Sequence, residues 1–467
     1  MVHRPLSALL RPVLAAATVL ALPMPLSAQF EEGDDRDRVV FSSGKEERGR
    51  LVWRWDEDGE IHWRTPRGRV RRYDSEDVLQ LDLVSERMGA WLQARSPRAS
   101  LDEEWALVEV ALDSALPSMA RAQAYHLLSR DPSNERAHEF LGHEKRRDGS
   151  WHWAVEEGKR KLPFDRWVEH NRDTGHPFTL EGEHFTLRTT VDYGRAVDLL
   201  FDMERAYHEF QKEFRGSDSL GPYEILARRI NVWVYSDEEE FPALTGAERG
   251  YYLPGLALAP SSQTPFVGSG NDVVTYYEGQ GSHPLEFFEL ITQALLYNCV
   301  LGESGGLWEG AEWGLYRENA TFEIGLGNWF GSQFVGRPGY VSRQAFRLSP
   351  EDAALARARS EVVALAEPRK ELPNLIGLNY EFFHRNDERV REDSTARANA
   401  FFAFLMDPRN VFADGKREGE PTRNAILAYL RSVYRSASGA SSSKFDDALG
   451  LKVERLTAPY HEWLKQF

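Results

Sequence analysis

The sequence contains a single cysteine, Cys299, among 467 residues. An intrachain disulfide is therefore excluded, and a chain of this size can rely on its hydrophobic core instead. Cys299 stands among apolar residues of a predicted helix. We therefore expect a small buried side chain there and not a reactive thiol.

Positive charge is also scarce. Lys and Arg number 57 against 73 Asp and Glu, which gives a formal net charge of -16. Nucleic acids and anionic membranes require a basic surface, so this balance argues against both classes of partner. The aromatic content of 12% indicates a folded protein rather than a disordered acidic one.

Long apolar runs are missing as well. The run at 13–22 is shorter than the ~20 residues that a membrane span needs. Arg4 and Arg11 precede the run, prolines follow it, and Leu-Ser-Ala stands directly before Gln29. This order is typical of a cleaved secretory signal, which we place at 1–28. The alternative is an uncleaved N-terminal anchor. We expect an exported protein, periplasmic or extracellular, with no membrane span after signal removal.

Three regions follow, and together they predict a multidomain chain. Residues 36–83 alternate apolar and polar residues between Gly-bearing turns, which predicts a small antiparallel β-barrel module. Residues 84–147 change to helical spacing and predict tetratricopeptide-like helical hairpins that act as a bridge. Residues 148–177 are polar and aromatic, and we expect a linker that packs on its neighbours.

The region 178–467 opens with strands and continues mostly with helices, which predicts an α+β domain with a helical C-terminal part. It contains no phosphate-cradling glycine loop. In the preceding region, His138 and His143 imitate a metal motif. Five residues of helix would place them about 140° apart, so we expect packing or surface histidines and not ligands.

The stretch at 287–316, "FFELITQALLYNCVLGESGGLWEGAEWGLY", carries the strongest chemical signal. It predicts a helix over 284–300, a glycine turn, and a second helix over 307–318 that bears Glu309 and Glu312. His283 or Ser282 would cap the first helix, with Glu286 as the capping-box partner.

On these residues the region from about 180 to 467 resembles the peptidase MA-like, gluzincin-type domain of exported bacterial proteins. The family has a His-Glu-x-x-His helix followed by a Trp-Leu-x-Glu-Gly-x-Ala-Glu-Tyr helix, and "GLWEGAEWGLY" is similar to the second element. The resemblance implies a zincin-like fold, in which active members hold zinc and Glu309 matches the third ligand.

The first element departs from the family pattern in either of two registers. One register places Glu289 at the catalytic base and Phe288 and Thr292 at the ligand positions. The other places Glu289 and Gln293 at the ligand positions. Neither register contains a histidine, and phenyl, hydroxyl and amide groups are poor zinc ligands or none. We therefore expect no bound metal, although Glu289, Gln293 and Glu309 could form an oxygen-ligand site for Ca²⁺ or Mg²⁺.

The sequence thus predicts a catalytically inactive, zinc-less relative that binds a protein or peptide partner in the vestigial cleft or acts as a scaffold. Two alternatives stay open: an active peptidase with non-standard metal ligands, and a structural envelope protein that uses its β-module and helical region. Aromatic residues of two predicted strands are candidates for the cleft wall, although ordinary strand packing is the favoured explanation; they are Tyr251, Tyr252, Tyr276 and Tyr277.

Overall fold

The computed structural model describes the following parts of the chain: residues 37–54, 59–65, 67, 69–95, 99–154, 161–172, 176–214, 229–236, 241–245, 250–257, 269–276, 285–300, 320–331, 348–366, 369–378, 383, 387–407, 409–410, 425–426, 428–430, 432 and 442–467. Over these residues the fold is mixed α+β. The predicted signal segment 1–28 lies outside the described residues. Within them, no helix combines the length and the apolar character that crossing a bilayer requires.

The first five strands form one antiparallel sheet in the order β4-β3-β2-β1-β5. Apolar side chains on one face of it, among them Val39, Leu51 and Trp63, make a small separate core. The strands are β1 (Asp37–Phe41), β2 (Glu46–Arg54), β3 (Glu60–Arg64), β4 (Val70–Asp74) and β5 (Val78–Asp82).

The prediction of a closed barrel for this module is wrong, because the described strands form an open sheet with β4 and β5 at opposite edges. Neighbouring residues of a strand point to opposite faces. Arg71 and Arg72 of β4 have side chains that are 53% and 65% exposed, so both faces of this strand meet solvent. A closed small barrel would cover one of them.

The helical prediction for the next region is confirmed by four helices. Ser100 and Glu103 form a complete capping box that starts the second helix, and Asn134 caps the fourth by accepting from the backbone N–H of Ala137 at 3.1 Å. The helices are α1 (Val84–Ala94), α2 (Leu101–Asp113), α3 (Pro117–Arg130) and α4 (Glu135–Phe140).

The segment that we expected as a packed linker contributes its own elements. A three-stranded sheet in the order β6-β7-β8 is followed by a short helix. The ring of Trp167 in that helix stacks on Tyr125 of α3 at 5.8 Å between centroids, which fixes the segment against the helical region. The elements are β6 (Glu144–Lys145), β7 (Trp151–Ala154), β8 (Lys161–Pro163) and α5 (Phe164–His170).

A second five-stranded sheet lies at the centre of the remaining chain, in the order β12-β13-β11-β10-β9. Its three inner strands run parallel, and both edge strands run antiparallel to their neighbours. A buried helix, α6 (Tyr193–Phe214), makes the crossover from β10 to β11. The other elements are β9 (Phe178–Glu181), β10 (Phe185–Thr189), β11 (Ile230–Tyr235), α7 (Phe241–Thr245), β12 (Tyr251–Ala257) and β13 (Ser269–Tyr276).

The C-terminal part is helical in its described residues, and one hydrophobic core runs from Val84 in α1 to Leu464 near the C-terminus. This continuous core joins the helical region, the central sheet and the C-terminal helices. The helices are α8 (Leu285–Val300), α9 (Ala320–Gly331), α10 (Pro350–Ala366), α11 (Glu371–Ile376), α12 (Glu388–Met406), α13 (Ser442–Leu449) and α14 (Thr457–Leu464).

Candidate functional site

Helix α8 carries the residues that both sequence registers singled out. The helix predicted over 284–300 is observed as Leu285–Val300. Phe288, Thr292 and Gln293 are buried, with 1%, 1% and 3% of their surface exposed, and Glu289 is partly buried between them. The face of α8 that would have held a metal is therefore packed against the rest of the protein.

In the first register, the two residues at the ligand positions, Phe288 and Thr292, are buried and do not line an open site. Phe288 belongs to the main core and its ring lies edge-on to Phe287 at 5.3 Å between centroids. The hydroxyl of Thr292 donates to the backbone carbonyl of Phe288 at 2.7 Å, within the same helix. A hydroxyl that bonds one turn back along its own helix is directed at the backbone and not into a site.

The second register contains a hydrogen-bonded cluster centred on Glu289. The amide Nε2 of Gln293 donates to Glu289 Oε1 at 3.2 Å, and Nδ2 of Asn328 in α9 donates to Glu289 Oε2 at 3.0 Å. Nδ2 of Asn328 also donates to the carbonyl of Ile324 at 3.0 Å. Both carboxylate oxygens thus accept from neutral amides, and the cluster connects α8 to α9.

Close helix packing brings Asn328 within reach of Glu289. A Cβ atom added to Gly327 would lie 2.8 Å from Cγ of Glu289, and one added to Gly331 would lie 3.0 Å from Cβ of Phe288. Gly325 does the same on the opposite side of α9, where an added Cβ would lie 2.8 Å from Cβ of Phe402 in α12. The glycines therefore allow α9 to fit between α8 and α12.

Sequence reasoning missed Asn328 because it lies 39 residues from Glu289. The signal that could have found it is the glycine pattern Gly325-Leu326-Gly327-Asn328, since small residues let neighbouring helices approach closely. We expected Glu309 as the residue facing Glu289. Glu309 and Glu312, on the predicted helix 307–318, lie outside the described residues.

The remaining candidates lie around α8 and the central sheet. Glu286 is in the first turn of α8, and Tyr251 and Tyr252 begin β12. Tyr276 ends β13, is 7% exposed, and its ring lies 4.9 Å from that of Phe241 in a small aromatic cluster. This position corresponds to strand packing. His283 and Tyr277 lie outside the described residues.

Within the described residues, no group of three or more His, Cys, Asp or Glu side chains converges as a metal site would require. The cluster around Glu289 consists of one carboxylate and two carboxamides. The amides present N–H groups to the carboxylate, so they act as hydrogen-bond donors in this arrangement and not as oxygen ligands. Through Asn328, the described hydrogen bonds anchor α8 to α9.

The pair His138 and His143 also differs from its predicted geometry. Helix α4 ends at Phe140, and Gly142, with φ of 78°, turns the chain so that the backbone N–H of His143 donates to the carbonyl of His138 at 2.9 Å. The two Nδ1 atoms lie 2.6 Å apart. The separation of 140° was wrong because it assumed a continuous helix.

Both rings are nevertheless packing histidines, as expected, with 0% and 5% of their surface exposed. Nε2 of His138 faces the carbonyl of Pro132 at 2.9 Å and must carry a proton, so its Nδ1 accepts from Nδ1–H of His143. Burial lowers the pKa of His138 and lowers that of His143 to about 3. The pair is therefore neutral.

Comparison with known proteins found no match of this chain to a protein-family model, a curated protein or a solved structure.

Proposed function

We propose that this protein is an exported, zinc-less relative of the peptidase MA-like, gluzincin-type domain, and that it binds an extended peptide instead of cleaving it. The observation that carries this proposal is the state of Glu289, whose two carboxylate oxygens are held by the amides of Gln293 and Asn328. In this proposal residues 178–467 form the binding domain, and the N-terminal sheet and helices α1–α3 are accessory.

A catalytic base of a zinc peptidase must accept a proton from a metal-bound water. Glu289 instead accepts hydrogen bonds from two neutral donors, Gln293 of the same helix and Asn328 of α9. Phe288 has no ligand atom, and the Thr292 hydroxyl is directed at its own helix backbone. In this proposal the described side chains of α8 supply no nucleophile-activating chemistry, and peptide binding takes place on the neighbouring sheet.

Strand β12 is the surface on which we place the peptide. Among the described strands it pairs only with β13, which makes it an edge strand of the sheet as far as the described residues extend. Pro254 lies within β12, and proline is tolerated in edge strands because one side of their backbone is unpaired. Addition of an extended peptide to such an edge is a common recognition mode, in which backbone hydrogen bonds supply the affinity.

The edge strand lies beside the helix that carries Glu289. A Cβ added to Gly250, immediately before β12, would lie 2.7 Å from both Cδ1 of Leu290 and Oγ1 of Thr275. Gly250 thus allows the start of β12 to approach α8 and β13 closely. A peptide on β12 would run along the sheet edge above one flank of α8, and this placement favours binding in the vestigial cleft over a purely structural role.

Metal content and hydrolysis separate this proposal from an active peptidase. We expect substoichiometric metal by inductively coupled plasma mass spectrometry and no cleavage of casein by the purified chain. Stoichiometric zinc together with casein cleavage that disappears in Glu289→Ala would overturn the assignment.

Hydrogen–deuterium exchange tests the binding surface directly. Unfolded casein fragments serve as the probe because they present extended backbone. We expect slower exchange in peptides covering 251–257 when the fragments are added, and unchanged exchange in 178–181. Strand β9 is the matched control, because it is the opposite edge of the same sheet. Equal protection of both edges, or protection of neither, would contradict β12 as the docking strand.

A further inference from the structure

A second polar cluster lies where helices α2 and α3 pack on α6. His126 of α3 is placed between Glu104 of α2 and Asp198 of α6. Its Nδ1 lies 3.1 Å from Oε2 of Glu104, and its Nε2 lies 3.4 Å from Oδ1 of Asp198. The side chains are 17%, 4% and 19% exposed, so the imidazole is mostly buried yet reachable by solvent protons.

The geometry determines the number of protons on the ring. An ionised carboxylate only accepts hydrogen bonds, and a neutral imidazole carries a single N–H. Two carboxylates that face the two ring nitrogens are both satisfied only by the doubly protonated ring. We propose that His126 is held as an imidazolium and acts as a proton-dependent clamp that fastens the α2–α3 hairpin to α6.

Charges from every neighbouring element surround this clamp. Arg130, at the end of α3, contacts the second oxygen of Glu104, and Arg195 of α6 lies 3.9 Å from the second oxygen of Asp198. Arg95 follows α1, and its charge acts to lower the pKa of His126. The charged groups of the cluster are Arg95, Glu104, Arg130, Arg195, Asp198, Asp202 and Arg205.

The balance of these interactions favours the protonated ring. Burial acts to lower the pKa of His126, but the hydrogen bonds to Asp198 and Glu104 outweigh it and raise the pKa above its ordinary value. Burial likewise acts to raise the pKa of Glu104, but hydrogen bonds from His126 and Arg130 outweigh it and lower the pKa. Between the two pKa values, the carboxylate of Glu104 is ionised and the imidazole of His126 is protonated at the same time.

The sign of the pH dependence follows from the raised pKa of His126. The folded state holds the proton more tightly than the unfolded chain, in which the pKa is about 6.5. The contribution of the clamp is fully present below that value and is lost as the pH rises through the higher folded pKa. Alkaline conditions should therefore loosen the α2–α3 hairpin from α6 selectively.

Other contacts between α3 and α6 carry no such dependence. The hydroxyl of Tyr193 donates to the carbonyl of Leu128 at 2.9 Å, and a Cβ added to Gly194 would lie 2.6 Å from Cβ of Ser129. These contacts fix one end of the helix pair at any pH in the neutral range. Deprotonation of His126 should consequently loosen the interface without separating the two parts.

Nitrogen-15 NMR of the histidine rings tests the protonation state in the full chain. We expect both nitrogens of His126 to be protonated at about pH 6.5, with a titration midpoint above the ordinary value. The urea midpoint should fall between about pH 6.5 and about pH 9, and His126→Gln should remove most of that fall. His152→Gln is the control, because Nε2 of His152 faces the Ser150 hydroxyl at 3.0 Å and that hydroxyl, not the ring, bonds the carboxylate of Asp148 at 2.7 Å.

A second variant keeps the proposal falsifiable if His126→Gln folds poorly. Asp198→Asn preserves the shape of the partner but removes its charge. We expect the titration midpoint of His126 to shift to lower pH in this variant. A neutral His126 ring at about pH 6.5 in the unaltered chain, or a midpoint unmoved by Asp198→Asn, would overturn the clamp.

Discussion

Two carboxylates of this protein connect helices by opposite means. Glu289 joins α8 to α9 through the neutral amide of Asn328, with Gln293 of α8 as a second neutral donor. Glu104 joins α2 to α3 and, through His126, to α6 with protonated partners. An amide donor keeps its proton over the whole physiological pH range, so these two hydrogen bonds do not depend on titration of their donors. The cluster around Glu104 depends on a proton that exchanges with solvent. We therefore expect the hydrogen bonds to Glu104 to change with pH and those from the two amides to Glu289 to persist.

The largest effect is expected when the charged cluster loses its shared carboxylate. Glu104→Ala leaves the mostly buried His126 and the contacting Arg130 without a common anion, and we expect a loss of about 3 kcal/mol, the low end for a broken buried pair, because Arg130 is 40% exposed and His126 keeps Asp198. Chemical denaturation monitored by circular dichroism measures the loss. Glu139→Ala is the control, because Glu139 is exposed on α4 and should cost under about 0.5 kcal/mol.

The pH profile sharpens the same comparison. The lowered pKa of Glu104 supplies stability that is present above about pH 4.5 and is lost as the pH falls through its folded pKa. The raised pKa of His126 supplies stability that is lost on the alkaline side. The cluster should therefore stabilise the fold most between about pH 4.5 and about pH 6.5, and Glu104→Ala should flatten both flanks of the profile. Unchanged flanks would contradict a shared proton network.

The next largest effect is expected when a methyl group is added to the close contact between α8 and α9 beside Glu289. In Gly327→Ala the new methyl group would lie 2.8 Å from Cγ of Glu289, and overpacking of this kind costs about 1–3 kcal/mol. Thermal unfolding detects the change. Gly377→Ala offers a control, since an added Cβ there would lie 3.5 Å from the nearest atom, which is an ordinary contact. A fully stable Gly327→Ala would show that α8 and α9 are packed less closely than described.

Removal of one amide should lower the free energy of unfolding by less than Gly327→Ala does. Asn328→Ala takes one donor from Glu289 while Gln293 remains, and we expect a cost of about 1 kcal/mol, the low end for loss of a donor to a buried acceptor, because Glu289 is only partly buried. A double-mutant cycle with Gln293→Ala measures whether the two amides act on the same carboxylate, which would appear as a non-additive sum. Additive losses would indicate that the two amides contribute independently.

These clusters also show which features of the structure can be predicted from the sequence. Helix α8 was predictable because Pro284 and the apolar spacing after it are local signals. The contact of Asn328 with Glu289 was not, because it depends on glycines that let two helices approach across 39 residues. His126 carries no local signal either, since its carboxylates come from two other helices.

The errors have the same origin. The strands of the N-terminal sheet were predicted from alternation, but closure depends on whether β4 and β5 meet, which is a question of long-range pairing. The geometry of His138 and His143 depended on Gly142 ending the helix between them. Local patterns therefore predicted most elements, whereas the sites arise from contacts between elements that no local pattern encodes.

The smallest effect is expected from metal removal, and it tests whether the amide cluster replaces a metal. A metal that binds only the folded state stabilises it by about 2.7 kcal/mol at a free concentration one hundred times its dissociation constant. Since the Glu289 oxygens are already held by two amides, we expect EDTA or added Zn²⁺ to leave the melting temperature unchanged. Asn328→Ala is the informative comparison, because it removes one amide donor from Glu289. A melting temperature of the unaltered chain that falls with EDTA and recovers with Zn²⁺ would show that a metal, and not the amide cluster, holds this part of the fold.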